Sequence, residues 1–149
     1  MSLVVDASVL VKWFVAEELT AEADRLRPLV ASLVAPDFCL IELTNILWKK
    51  VQRGTLLPGE AAAIVPCLRL GSMRFLPSEP LLKAALDLAY ELQHPVYDCL
   101  YLASMELLGI RFVTWDRQLH ARLTPTRFAR STYLLSEVDR LLGDLGPAS

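Results

Sequence analysis

Asp6, Glu42, Asp98 and Asp116 are carboxylates set into apolar sequence. Asp6 closes the run that opens "LVVDASVLVKWF", and Asp116 closes "IRFVTWD". Glu42 sits in "APDFCLIELTNILWK" and Asp98 in "PVYDCLYLASMELLG". A desolvated carboxylate is costly unless something partners it. Two carboxylates about 4 Å apart repel by roughly 4 kcal/mol at an effective dielectric near 20, so four sharing a pocket need protons or a cation. At neutral pH a divalent cation is the expected answer. The donors are all hard oxygens with no His or Cys among them, which favours Mg²⁺ or Mn²⁺ over zinc. Such a cation polarises a phosphate and lowers the pKa of a bound water, chemistry suited to reactions at phosphorus. Taken singly, each acid also suits a plainer role: Asp6 as an Asx-turn former, Asp98 and Asp116 as helix N-caps, Glu42 as a solvated helix residue.

The elements that must position these acids follow from patterning. Residues 3–6 and "IRFVT" are short, apolar and β-branched, as buried parallel strands are. "LVAP", "MRFL" and a segment near 128–134 supply further strands. A helix starts after Asp6 with Ser8 as its N-cap. A second helix is expected over about 16–32, kinked or broken at Pro28. Asp37 caps a helix over about 38–53 that Gly54 ends. In that helix Glu42, Asn45, Lys49, Gln52 and Arg53 form one polar stripe at three- and four-residue spacing. Another helix follows "LPGE" and is interrupted by Pro66. "SEPLLKAALDLAYEL" makes a helix with Ser78 and Pro80 at its start, and a fresh helix runs from Pro95 to Gly109, with Asp98 in its first turn. A short basic helix follows Asp116, a last helix follows the final strand, and the tail from Gly143 is expected to fray. Alternating strands and helices imply an α/β fold, a three-layer α/β/α sandwich around a parallel sheet. Strand ends then gather at one edge, where ligands of such sheets bind.

The 149 residues suit a single domain, 1–149, and nothing in them suggests a repeat or linker. No apolar stretch is long enough to span a membrane, and no basic leader precedes residue 3, so a cytoplasmic protein is expected. Cys39, Cys67 and Cys99 form no C-x-x-C pair and read as small buried residues rather than zinc ligands or a disulfide. At 54% hydrophobic the chain is rich for a monomer, which points to apolar surface covered by another chain, a homodimer or a partner. Net charge is −2 but uneven. Arg117, Arg122, Arg127 and Arg130 with His120 make one basic segment, and Lys49, Lys50 and Arg53 a second; either can meet phosphates. Trp13, Phe14 and Trp115 flank the acids and can stack on bases, though for Trp13 and Phe14 burial in the core or against a partner is the expected role. His94 reads as a loop residue before Pro95.

On "VVDASVLVKWF", "APDFCLIELTNILWK", "YDCLYLASME" and "FVTWDRQL", spanning essentially the whole chain, the sequence resembles PIN-domain ribonucleases of the small kind found as VapC-type toxins. The resemblance implies Mg²⁺- or Mn²⁺-dependent cleavage of single-stranded RNA, with a cognate antitoxin as partner. By position it implies that Asp6, Glu42, Asp98 and Asp116 form the acidic site, Asp6 and Asp98 being the firmest ligands. Ser8 and Thr114 match hydroxyls beside the first and last acids, and Asn45 matches the polar residue one turn after the glutamate. Lys49, Arg53, Arg117 and Arg122 are the candidates for RNA phosphate contact. Cys99 departs from the alanine more usual in the family. Two rivals fit less well. A haloacid-dehalogenase-type phosphotransferase wants a second Asp two residues after the first, where this chain has Ser8. A receiver domain wants paired acids at the first strand and a lysine after a late one. A PIN fold that binds RNA or a partner without cutting is the remaining alternative.

Overall fold

The computed structural model describes residues 2–69 and 71–147. Five short strands, β1 (Leu3–Val5), β2 (Leu33–Pro36), β3 (Arg74–Leu76), β4 (Arg111–Thr114) and β5 (Thr132–Leu134), form one parallel sheet in the order β3-β2-β1-β4-β5. Every residue of β1 and of β2 is buried. Successive side chains point to opposite faces, so both faces are covered, as an α/β sandwich requires. The chain builds outward from β1 to β2 and β3, then crosses back to place β4 on the other side. The reversal lies between β1 and β4, next to the carboxyl ends of both strands.

The helices are α1 (Ala7–Leu10), α2 (Thr20–Asp24), α3 (Phe38–Gln52), α4 (Pro58–Ile64), α5 (Leu82–Leu92), α6 (Val96–Leu108), α7 (Arg117–Leu123) and α8 (Val138–Leu145). α6 packs across β1, β2 and β4 with α5 against it, while α7 and α8 pack on β5. Gly54 follows α3 at φ +77°, where an L residue with a side chain is strained. There Thr55 N–H reaches back to Lys50 O at 3.0 Å, closing the helix end.

Several expectations are corrected. The helix expected over 16–32 is broken: α2 starts only at Thr20, whose hydroxyl bonds both the backbone N–H and the carbonyl of Glu17, and residues 27–32 tighten into 3-10 turns around Pro28. Leu19, left-handed at φ +63°, stands immediately before α2 and keeps residues 16–18 out of the helix. Residues 143–145 are not frayed. They complete α8, and Asp144 Oδ2 accepts a bond from the Tyr133 hydroxyl at 2.7 Å; Ala148 and Ser149 lie outside the described residues. Cys39 and Cys99 are buried as expected, but Cys67 is exposed.

Asp37 and Ser78 also exchange their expected roles. Asp37 Oδ1 accepts from Ser78 N–H (3.1 Å) and from its hydroxyl (2.6 Å), while Ser78 Oγ accepts from Phe38 N–H at 3.1 Å. Neither side chain caps its own helix. The clamp pins the start of α3 to the end of β3, and so fixes the helix that carries Glu42. Asp37→Ala orphans the Ser78 N–H and its hydroxyl, and is expected to destabilise the protein by about 1–3 kcal/mol. A urea unfolding midpoint equal to that of the unmodified protein would contradict it.

Candidate active site

Asp6 N–H bonds Val113 O at 3.0 Å, extending the β1–β4 ladder by one rung, so the Asp6 backbone is part of the sheet. Its side chain is only 4% exposed. Asp6 Oδ2 accepts from the Thr114 hydroxyl at 2.6 Å and the Ser8 hydroxyl at 2.9 Å. These hydroxyls are held in turn, for Ser8 Oγ accepts from Trp115 N–H and Thr114 Oγ1 from Asp116 N–H, both at 2.9 Å. Ser8 is therefore not the cap of α1, since Asp6 occupies that position. Its hydroxyl instead donates to the first acid. Asp116 does cap α7: its Oδ1 accepts from Leu119 N–H at 3.0 Å, leaving the carboxylate at the end of β4.

α3 and α6 bring the other two acids to the same edge. Glu42 lies one turn into α3, with its Oε1 buried and without any hydrogen-bond partner. Asp98 lies in the first turn of α6, and its Oδ2 meets His94 Nε2. The four acids are close enough to repel. Burial pushes Asp6 up to about 6 against its hydrogen bonds from Thr114 and Ser8, with Asp98 and Asp116 adding repulsion. Burial raises Glu42 to about 8, aided by Asp6, Asp98 and Asp116 and only partly offset by the Tyr101 hydroxyl. Asp98 is raised by burial too, while the His94 contact pulls the other way. Among the described residues no three His, Cys, Asp or Glu side chains form a group placed to hold a metal ion as they stand. The donor chemistry nevertheless suits a hard divalent cation: carboxylate oxygens, one of them buried without a donor, at the switch point of a parallel sheet.

The surrounding candidates divide. Asn45 is exposed on α3 and lines one cleft with Glu42 and Asp98. Lys49 and Arg53 are exposed further along that helix and its end. Lys50, by contrast, is tied up in an ion pair with Glu17. Arg117 lies over the Trp115 ring at 5.1 Å, and Arg122 bonds Gln93 O at 3.3 Å, both beside the start or body of α7. Arg127 is neutralised by Glu91 and Glu106, which removes it from the basic segment. Trp13 is occupied by Ala23 O and by Arg27, and Phe14 packs on the core, so neither is a stacking surface.

Sequence reading missed three side chains. His94 is four residues before Asp98, a spacing visible in "HPVYD" but obscured by the intervening proline. Tyr101, fully buried, lies beneath Glu42 and Asp6, and burial holds its hydroxyl well above the usual range. Tyr97 stacks on Phe38 at the mouth of the acidic cleft.

A PIN domain model matches residues 3–123. Ribonuclease VapC3 from Pyrobaculum aerophilum is 35% identical over 121 residues, covering 80% of this chain and 92% of that protein. The crystal structure of PAE2754 from Pyrobaculum aerophilum superposes with a TM-score of 0.71 at 25% identity, covering 95% of each chain. Mycobacterium tuberculosis VapC20, described as a sarcin-ricin loop cleaving toxin, shares the fold with a TM-score of 0.56 at 19% identity over 74% of this chain and 85% of that one. With the strand order, the four acids at one sheet edge and these matches in agreement, the chain belongs to the PIN-domain family.

Proposed function

We propose that this protein is a divalent-cation-dependent endoribonuclease that hydrolyses phosphodiester bonds of single-stranded RNA, and that it is the toxin of a toxin–antitoxin pair. The observation that carries the reading is the buried, unpartnered Oε1 of Glu42 beside the carboxylates of Asp6 and Asp116, at the ends of β1 and β4, and of Asp98 in the first turn of α6. Asp6 and Asp98 would hold Mg²⁺ or Mn²⁺ most firmly, with Glu42 and Asp116 binding directly or through water. When bound, the cation supplies Lewis acidity, neutralising charge on the phosphate and lowering the pKa of water. The chain's own residues supply the rest. Thr114 and Ser8 fix Asp6, and His94 fixes Asp98. Lys49, Arg53, Arg117 and Arg122 hold RNA phosphates on either side of the acids.

The partners follow from exposed apolar surface. Leu82, Leu86 and Tyr90 recur at four-residue spacing on the outside of α5, which supports a homodimer. Trp48, Leu57 and Val65 are exposed around the groove between α3 and α4 and suit a segment of the antitoxin. Among the described residues no helix is long and apolar enough to cross a membrane, in keeping with a cytoplasmic enzyme and its RNA substrate. End-labelled single-stranded RNA is expected to be cut with Mg²⁺ or Mn²⁺, to survive in EDTA, and to survive with Asp98→Asn. RNA bound but uncut by the unmodified protein with either cation would instead mean a PIN fold that only binds.

A further inference from the structure

The four acids leave one wall of their cleft unexplained. A cleft of about 530 Å³ opens between α3 and α6, with Glu42 and Asp98 at its acidic end and Phe38, Ile41, Asn45 and Tyr97 around it. The Phe38 and Tyr97 rings are stacked, 5.4 Å between centroids and 13° apart in plane. Phe38 therefore covers one face of Tyr97, while Tyr97 remains 61% exposed and Ile41 63% exposed. A large aromatic ring braced on one side and open on the other, beside an exposed carboxamide, is an unusual surface for water to cover.

We propose that this cleft is a nucleobase subsite for the RNA residue next to the cleaved phosphate, with Tyr97 as the stacking platform and Asn45 as the reader of the base edge. The subsite rests on the ribonuclease reading. Charge selects the occupant. The cation that Glu42 and Asp98 would help to hold takes the scissile phosphate, so the aromatic wall beside them is left to the uncharged base of the adjoining nucleotide. One turn beyond Asn45 on the same stripe, Lys49 and then Arg53 accept the backbone phosphates that continue outward. Every base edge carries N–H donors beside ring or carbonyl acceptors in one plane, a pairing that the planar Asn45 amide matches. Stacking on the open Tyr97 face supplies affinity, and the Asn45 amide, offering a donor and an acceptor together, supplies choice among bases. The base must be unstacked to enter, which restricts the subsite to single strands and loops.

Two measurements test it. In EDTA, where no cleavage occurs, short single-stranded RNA carrying 2-aminopurine is titrated with the unmodified protein, Tyr97→Ala and Tyr97→Trp. The unmodified protein is expected to quench the fluorophore. Tyr97→Ala is expected to lose the quench and bind about 10-fold more weakly, and Tyr97→Trp to restore both. With Mn²⁺, a single-stranded RNA pool of randomised sequence is cut and the cleavage sites are sequenced. Asn45→Ala is expected to relax the base preference at one position beside the cut, and Tyr97→Ala to raise KM more than it lowers kcat. Because Asn45 and Tyr97 are exposed, the folded state is not at stake. If the unmodified protein cuts and both variants keep its binding, quench and cleavage profile, the subsite is wrong. The same holds if Tyr97→Ala changes only the monomer–dimer balance, since the face would then belong to a protein contact. If the unmodified protein cuts nothing yet quenches through Tyr97, the nuclease reading fails and the subsite stands.

Discussion

Asp6→Asn is expected to lower RNA cleavage by roughly 10³-fold or more, the usual scale for removing a central charge from a catalytic constellation, while making the protein more stable at neutral pH. Both effects have one cause. The Asp6 carboxylate is buried, and its pKa is raised from 3.8 to about 6. The folded protein therefore binds this proton more tightly than the unfolded chain does. Stability from this group is complete below about pH 4, falls as the pH rises between 3.8 and 6, and stays reduced above that. Two pKa units correspond to about 3 kcal/mol. Asparagine keeps the shape and can turn its oxygen to the Thr114 and Ser8 hydroxyls, but it carries no charge to desolvate. Urea unfolding in EDTA should show the variant ahead by up to about 3 kcal/mol at pH 7, with the gap closing near pH 4. Glu42, raised to about 8, extends the same trend of the unmodified protein to higher pH. A variant that cleaved RNA at the original rate would remove Asp6 from the chemistry.

Glu17→Ala is expected to cost about 3–5 kcal/mol, a large share of the stability of a chain this size. The Lys12 side chain is 2% exposed and the Lys50 side chain 15%. Glu17 serves both, Oε1 accepting from Lys12 at 2.8 Å and Oε2 from Lys50. Burial alone would raise the Glu17 pKa, but the two ammonium groups hold it below its ordinary value. The pH dependence is thus opposite to that of Asp6: the contribution is present above the unfolded pKa and is lost as the pH falls through the lowered folded one. Removing the carboxylate strands a buried Lys12 ammonium, and Lys12→Met in the same chain is expected to recover much of the loss. The thermal midpoints of the single and double variants form the check; equal midpoints for Glu17→Ala and the unmodified protein would contradict it. The cluster also ties the turn after α1 to α3, the two segments that lead from Asp6 and Glu42. Cleavage should therefore weaken in Glu17→Ala even below its unfolding temperature.

How much of this was legible in the sequence depends on the range of the interaction. Asp6 and Asp116 stand out because each ends a β-branched run, a pattern set by nearest neighbours. Glu42 and Asn45 stand out because a helix leaves them on one stripe. The all-parallel order of strands followed from alternation with helices. Contacts made through space were hidden. Ser8 has the composition of a cap, and only the arrival of Trp115 from β4 turns its hydroxyl into a support for Asp6. Asp37 and Ser78 each look like the start of their own helix, and meet only because β2 and β3 are adjacent. Lys50 joins a basic triplet in sequence but folds onto Glu17, and His94 reaches Asp98 across a proline that hides their pairing.

The hydroxyls beside Asp6 have a directional consequence. Each hydroxyl has a single proton, and Thr114 and Ser8 both aim theirs at Oδ2, because their lone pairs already receive backbone N–H groups. Oδ2 thereby receives both hydroxyl protons, and a proton placed there would force one of these hydroxyls to turn away. The two oxygens of one carboxylate become inequivalent, one fastened to the protein and one, Oδ1, left to exchange protons or bind a cation. Asp6 is thus a one-sided ligand, its working atom selected by the backbone of a strand more than a hundred residues away.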